Sequence, residues 1–180
     1  FFYNGGGDSQ DTTNKISEYC IKKNYDLKCI GIPKTVDNDL PFTDTCPGFG
    51  SVAKYVAVST LEAGLDVASM AASSTKVFVL EVMGRHAGWI AAASALAANQ
   101  KSDPPHLVVL PEVPFDQPSF LKKVKATVAR EGYCVIVASE GAQTAEGQFL
   151  AESGGLDAFG HAQLGGVAPM LVDLIKGQLG

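Results

Sequence analysis

The sequence predicts an α/β fold organised on a parallel sheet. Two observations carry that expectation. Short apolar, β-branched runs alternate with longer segments of helical period along the 180 residues. Each apolar run is followed by a polar or glycine-bearing segment: NGGGDS, PKTVDND, MGRHAG, PEVPF and SEGAQ, in that order. Open parallel sheets bind ligands beyond the carboxyl ends of their strands, so these five segments are expected at one shared edge.

Taken in order, residues 1–3 read as a strand end meeting a glycine turn at 4–8. A helix is expected over 11–24, with Ile16, Tyr19 and Cys20 on one face. Residues 27–32 are a short apolar strand, and 50–72 carry a long helical pattern. The β-branched run 77–82 is a buried strand, and the alanine-rich stretch 86–98 is helical. After a strand at 107–110, Asp116 is placed to cap a helix with Pro118 in its first turn, running to Arg130. Residues 133–138 form another strand, 141–155 a loop or hairpin, and 167–178 a last helix. The alternation implies βαβ units and a sheet covered on both faces.

Composition narrows the class. The chain is 46% hydrophobic and 18% charged, as soluble globular proteins are. A net charge of -5 argues against a broad nucleic-acid surface or a polybasic membrane contact, while leaving a locally bound anion open. Cys20, Cys29, Cys46 and Cys134 show no CxxC spacing and no cluster with histidine. They read as small buried hydrophobes in a reducing compartment. No apolar run is long enough to span a bilayer, and no signal peptide is read. The chain begins with Phe1 rather than Met, and a longer parent is expected.

The strand ends carry the chemistry. Gly5, Gly6 and Gly7, followed by Asp8, put backbone N–H groups without Cβ obstruction at a helix start, where they can wrap a phosphate. A plain strand-to-helix turn capped by Asp8 or Ser9 fits as well. Lys34 is a point charge suited to phosphate, and Thr35, Asp37 and Asp39 add a hydroxyl and two carboxylates. In an extended segment Asp37 and Asp39 would share a face, although a solvated acidic turn explains them too. Arg85 near a helix start opposes the dipole unless an anion binds, whereas His86 is read as a cap. Glu112 can accept from sugar hydroxyls or be a charge at a strand end. His161 in FGHAQLGG lies in a second glycine-rich turn, where a lone histidine is more often structural.

Together and in order, GGGDS, PKTVDND, MGRHAGW, PEVPF and GHAQLGG resemble the phosphofructokinase family over nearly the whole chain. The resemblance implies two Rossmann-like α/β lobes. Residues 1–48 would end the donor-side lobe, 49–162 would form most of the sugar-phosphate lobe, and 163–180 would return to the first. It implies Asp37 as the base that takes the proton of the sugar's 1-hydroxyl, with Thr35 and Asp39 beside it. Met83, Gly84 and Arg85 look like the fructose 6-phosphate segment, Glu112 like a hydroxyl ligand, and His161 like a sugar-phosphate contact. Mg²⁺ is implied as the counter-charge for phosphoryl transfer.

The resemblance also bears on the donor. Relatives that use ATP usually carry glycine where this chain has Asp8 and Lys34, and diphosphate-using relatives carry these two residues. Asp8 adds bulk and charge where a nucleotide would continue, and Lys34 adds positive charge at the departing phosphate. The implied reaction is reversible phosphoryl transfer from diphosphate to fructose 6-phosphate, in a cytoplasmic homo-oligomer. An ATP-using enzyme and a non-catalytic regulatory subunit are the alternatives. Two departures stand out: Gly7 lies where many relatives carry a metal-facing Asp or Asn, leaving Asp8 as the metal candidate, and Leu164 replaces an arginine common in ATP-using relatives.

Overall fold

A computed structural model describes residues 1–156, 160 and 162–179. The chain divides into two compact units, Phe1–Val52 and Ala53–Gly180.

The first unit is a βαβ arrangement. Strand β1 (Phe2–Gly5) pairs in parallel with β2 (Ile30–Pro33), Phe2 opposite Ile30 and Gly5 opposite Pro33. Helix α1 (Gly7–Lys22) connects them and begins four residues earlier than the expected 11. Glycines are poor helix formers, which hid this start. Gly6 is its extended N-cap without a side-chain hydrogen bond, and Asp8 places negative charge in the first turn. The Gln10 amide donates to the carbonyls of Gly5 (2.9 Å) and Ile32 (3.1 Å), so α1 staples the two strands together. Phe2 and Ile30 are 69% and 51% exposed, because a two-stranded sheet with one helix can bury only one side.

Helix α2 (Phe49–Met70) runs from the first unit into the second. The second unit holds a parallel sheet ordered β3–β5–β4: β3 (Val77–Val82), β4 (Leu107–Val109) and β5 (Cys134–Ser139). All six residues of β5 are buried, as its continuous apolar run requires. Val124 of α4 (Gln117–Glu131) and Leu171 of α5 (Val167–Leu179) pack with Cys134, Ile136 and Ala138 in the core. The last helix packs on the second unit's sheet in this chain. Helix α4 starts as expected, the Asp116 carboxylate accepting from the Ser119 N–H at 2.9 Å.

Two elements differ from expectation. The helix expected over 86–98 shortens to α3 (Trp89–Ala93) and a 3₁₀ turn at Ser94–Ala97. Residues 83–88 are held in a loop by neighbouring strand ends, described below. The segment 141–155 carries a Gln143–Phe149 bridge, and β6 (Glu152–Leu156) pairs antiparallel with β7 (Ala162–Leu164). The bridge fits the loop or hairpin expected over 141–155, whereas the β6–β7 strand pair was not expected, because glycine-rich ESGGL has weak strand propensity.

Candidate functional site

Each unit gathers its own strand ends. In the first, the Lys34 N–H donates to the Gly5 carbonyl at 2.9 Å, joining the glycine segment to PKTVDND. A Cβ on Gly6 would lie 3.7 Å from both the Lys34 carbonyl and the Thr35 Cβ, whereas one on Gly7 would meet open space. The glycine-rich helix start, Asp8, Lys34 and Thr35 thus belong to one strand edge. Lys34, Asp8 and Asp39 are exposed, and Asp37 is half-buried.

The TVDND segment is not extended. Thr35 to Asn38 close a turn, with the Asn38 N–H 3.4 Å from the Thr35 carbonyl and the Asp37 N–H 3.2 Å from the Thr35 hydroxyl. Alternation along a strand therefore does not place Asp37 and Asp39 on one face. What fixes the turn is Asn38, which the sequence reading passed over. It is buried and sits at φ 55°, a left-handed position that Asn tolerates better than most residues. Its side-chain oxygen accepts from the Cys46 N–H at 2.8 Å, and its amide donates to the Asp44 carbonyl at 3.2 Å. An asparagine between two aspartates was the available signal.

In the second unit Met83, Gly84 and Arg85 follow β3 in a loop that β5 holds. The Ser139 hydroxyl donates to the Gly84 carbonyl at 2.5 Å, and the Gly84 N–H donates to the Glu140 carboxylate at 3.3 Å. Gly84 has φ 131°, and a Cβ there would stand 2.5 Å from the Ala87 carbonyl oxygen, so glycine is required. Arg85 is half-buried four residues before α3 starts at Trp89, and a dipole acts only within the first turn. The dipole argument for Arg85 therefore lapses. His86 is not a cap either: Gly88 holds that position, and the His86 ring lies 6.3 Å from the Phe149 ring.

Glu112, after β4, accepts from the Gly88 N–H through Oε1 at 2.7 Å. It braces the MGRHAG loop through that oxygen. Glu81 is a second omission of the sequence reading. A carboxylate inside the apolar run VFVLEV has its explanation at α5, where it accepts from the N–H groups of Gly166 (3.0 Å) and Ala168 (2.9 Å). His161 lies outside the described residues. Among the described residues, no three His, Cys, Asp or Glu side chains come together as a metal cage. Gly7 offers no side chain, which leaves Asp8 as the acidic group of the glycine segment.

The phosphofructokinase family pattern matches residues 1–179. The chain is 65% identical over its whole length to a pyrophosphate--fructose 6-phosphate 1-phosphotransferase of Halomonas elongata, and spans 43% of that relative. A pyrophosphate-dependent phosphofructokinase structure from Marinobacter aquaeolei matches 99% of the chain at TM-score 0.82 and 56% identity, with 41% of that structure covered. One from Nitrosospira multiformis matches 99% of the chain at TM-score 0.84 and 54% identity, with 42% covered. The α/β units and the ordered strand-end segments belong together in one lineage: this chain is a member of the phosphofructokinase family.

Proposed function

We propose that the complete protein carrying this chain transfers a phosphoryl group from inorganic diphosphate to fructose 6-phosphate. Asp37 takes the proton of the 1-hydroxyl as its oxygen attacks one phosphorus. A new P–O bond forms, the bridging P–O bond breaks, and orthophosphate leaves beside Lys34. The products are fructose 1,6-bisphosphate and phosphate. Thr35 and Asp39 flank the base, Gly5, Gly6 and Gly7 cradle the donor, and Met83, Gly84 and Arg85 take the sugar phosphate. Glu112 accepts a sugar hydroxyl through Oε2. Mg²⁺ would supply the counter-charge that phosphoryl transfer needs, with the Asp8 carboxylate as the group of this chain that would face it.

The observation that carries this reading is the 2.9 Å bond from Lys34 to Gly5, which ties the glycine segment with Asp8 to the Asp37 turn. Asp8 and Lys34 favour diphosphate over a nucleotide through bulk, repulsion and charge at the leaving group. The names of the relatives at 54 to 65% identity support the same donor. A cytoplasmic homo-oligomer working reversibly in glycolysis is part of this reading, as is the two-lobe division with residues 1–48 on the donor side, 49–162 on the sugar side and 163–180 returning to the first lobe. The test supplies the complete protein with Mg²⁺ and fructose 6-phosphate, with diphosphate in one assay and ATP in the other. Turnover with diphosphate alone is expected. Turnover with ATP alone would overturn the donor assignment, and a folded protein silent with both would overturn catalysis.

A further inference from the structure

We infer that Asn38 is a positioning residue for the base, setting the Asp37 carboxylate by clamping the turn that carries it. The inference rests on the role given to Asp37 above. Three features converge on this residue. Its backbone takes the left-handed conformation at φ 55° that lets the chain reverse directly after Asp37. Its side chain then engages backbone on both sides of residue 45, accepting from the Cys46 N–H at 2.8 Å and donating to the Asp44 carbonyl at 3.2 Å. Finally, it is only 7% exposed, and Cys46 only 1%, so these bonds lie away from competing water.

The clamp closes a loop. Residues 38 to 46 are pinned at their two ends by one side chain. A second contact acts in the same direction just outside it. Gly48 has φ 97°, and a Cβ there would lie 3.0 Å from Val36 Cγ1, so the chain passes close over the turn before α2 begins at Phe49. Thr35 fixes the other flank through its bond to the Asp37 N–H at 3.2 Å. Asp37 is thus bracketed by Thr35 on one side and by Asn38, with its buried bonds, on the other. Aspartate can also adopt φ near 55°, but its carboxylate would face the Asp44 carbonyl with no proton to donate. Glycine keeps the backbone freedom and loses both side-chain bonds. Asparagine alone of the three supplies conformation, acceptor and donor together.

The experiment uses the complete protein, with Mg²⁺-diphosphate and fructose 6-phosphate as substrates. Asn38→Gly retains the left-handed conformation, so it isolates the clamp. We expect kcat to fall about 10- to 100-fold, the cost of a base displaced by about 1 Å, with both KM values within about threefold of the parent. Asn38→Asp, which keeps the acceptor, should show a smaller fall of the same kind. In an Asp37→Ser background, Asn38→Gly should cost almost nothing further, because a residue that acts through the base has nothing left to position. Turnover by the parent protein is the check on the underlying reading, and its absence would sink that reading by itself. With an active parent, an unchanged kcat in Asn38→Gly would overturn the inference. So would an equal loss in the Asp37→Ser background. A collapse of melting temperature with both KM values raised together in Asn38→Gly and Asn38→Asp would assign Asn38 to folding alone, and would overturn it equally.

Discussion

At the residue scale, chemistry and scaffold interleave one position at a time. In KTVDND the candidates stood out because carboxylates, a hydroxyl and a lysine at a strand end are an unusual concentration of function. Asn38 was not legible, because its work is done through φ and through bonds to Asp44 and Cys46, which sequence spacing does not display. Replacing Asp37 with Ser should lower kcat by about 10²- to 10⁴-fold while leaving the circular dichroism spectrum and melting temperature near the parent's. Near-normal turnover in that variant would remove Asp37 as the base. Joint replacement of Asp8 and Lys34 by Gly should lower kcat/KM for diphosphate, because the charge at the leaving phosphate is lost. Unchanged diphosphate kinetics would show that neither residue reads the donor.

At the element scale, side chains on strands and at strand ends hold the neighbouring segments by hydrogen bonds. Glu81 reaches α5, Glu112 reaches Gly88, and Ser139 and Glu140 fix Gly84. Strands at 77–82 and near 134–139 were readable from β-branched runs, and α4 from Asp116 and Pro118. The early start of α1 and the β6–β7 hairpin were hidden by glycine, whose sequence signal is the same for a turn, a cradle or a strand. Glu81→Ala removes the acceptor for two N–H groups at the start of α5 and should destabilise the fold by about 1–2 kcal/mol in denaturant titration. An unchanged midpoint would mean that solvent replaces the cap without loss.

His106 provides a second test of element-level stability. It ties the start of β4 to β5, its N–H donating to the Val135 carbonyl and its Nδ1 accepting from the Val135 N–H, both at 2.9 Å. Burial lowers its pKa below the ordinary 6.5, against the opposing influence of Glu131. The neutral form is thus favoured on folding. Its stabilising share is present above about pH 6.5 and is lost as pH falls through the lower folded value. His106→Asn keeps an acceptor and cannot titrate, so the acid side of its stability profile should flatten. An identical profile in the variant would exclude His106 as the source.

On the scale of the whole molecule, the two units are unequally built. The second has a central strand buried at every position and helices α4 and α5 over its core. In the first, β1 buries only Gly5, and its sheet has two strands. Local stability follows burial. In hydrogen exchange on the 180-residue chain, amides of β5 should outlast those of β1 and β2 by on the order of 100-fold. Equal protection would show that the first unit is as firmly closed as the second. The chain spans 43% of the length of its Halomonas elongata relative, and we expect it to show no turnover alone while the complete protein does. Activity of the 180-residue chain would show that its own strand ends suffice.

The buried central strand has one more consequence. Cys134 lies at its first position, fully buried, and burial pushes its thiol up to about 12. Alkylating reagents attack the thiolate, so the closed core shelters this sulfur twice, by excluding the reagent and by keeping the proton on. Half-buried Cys29 has no such shelter from the reagent. Timed alkylation, read by mass at each cysteine, therefore turns Cys134 into a clock: every mark on it records a moment when the sheet came apart.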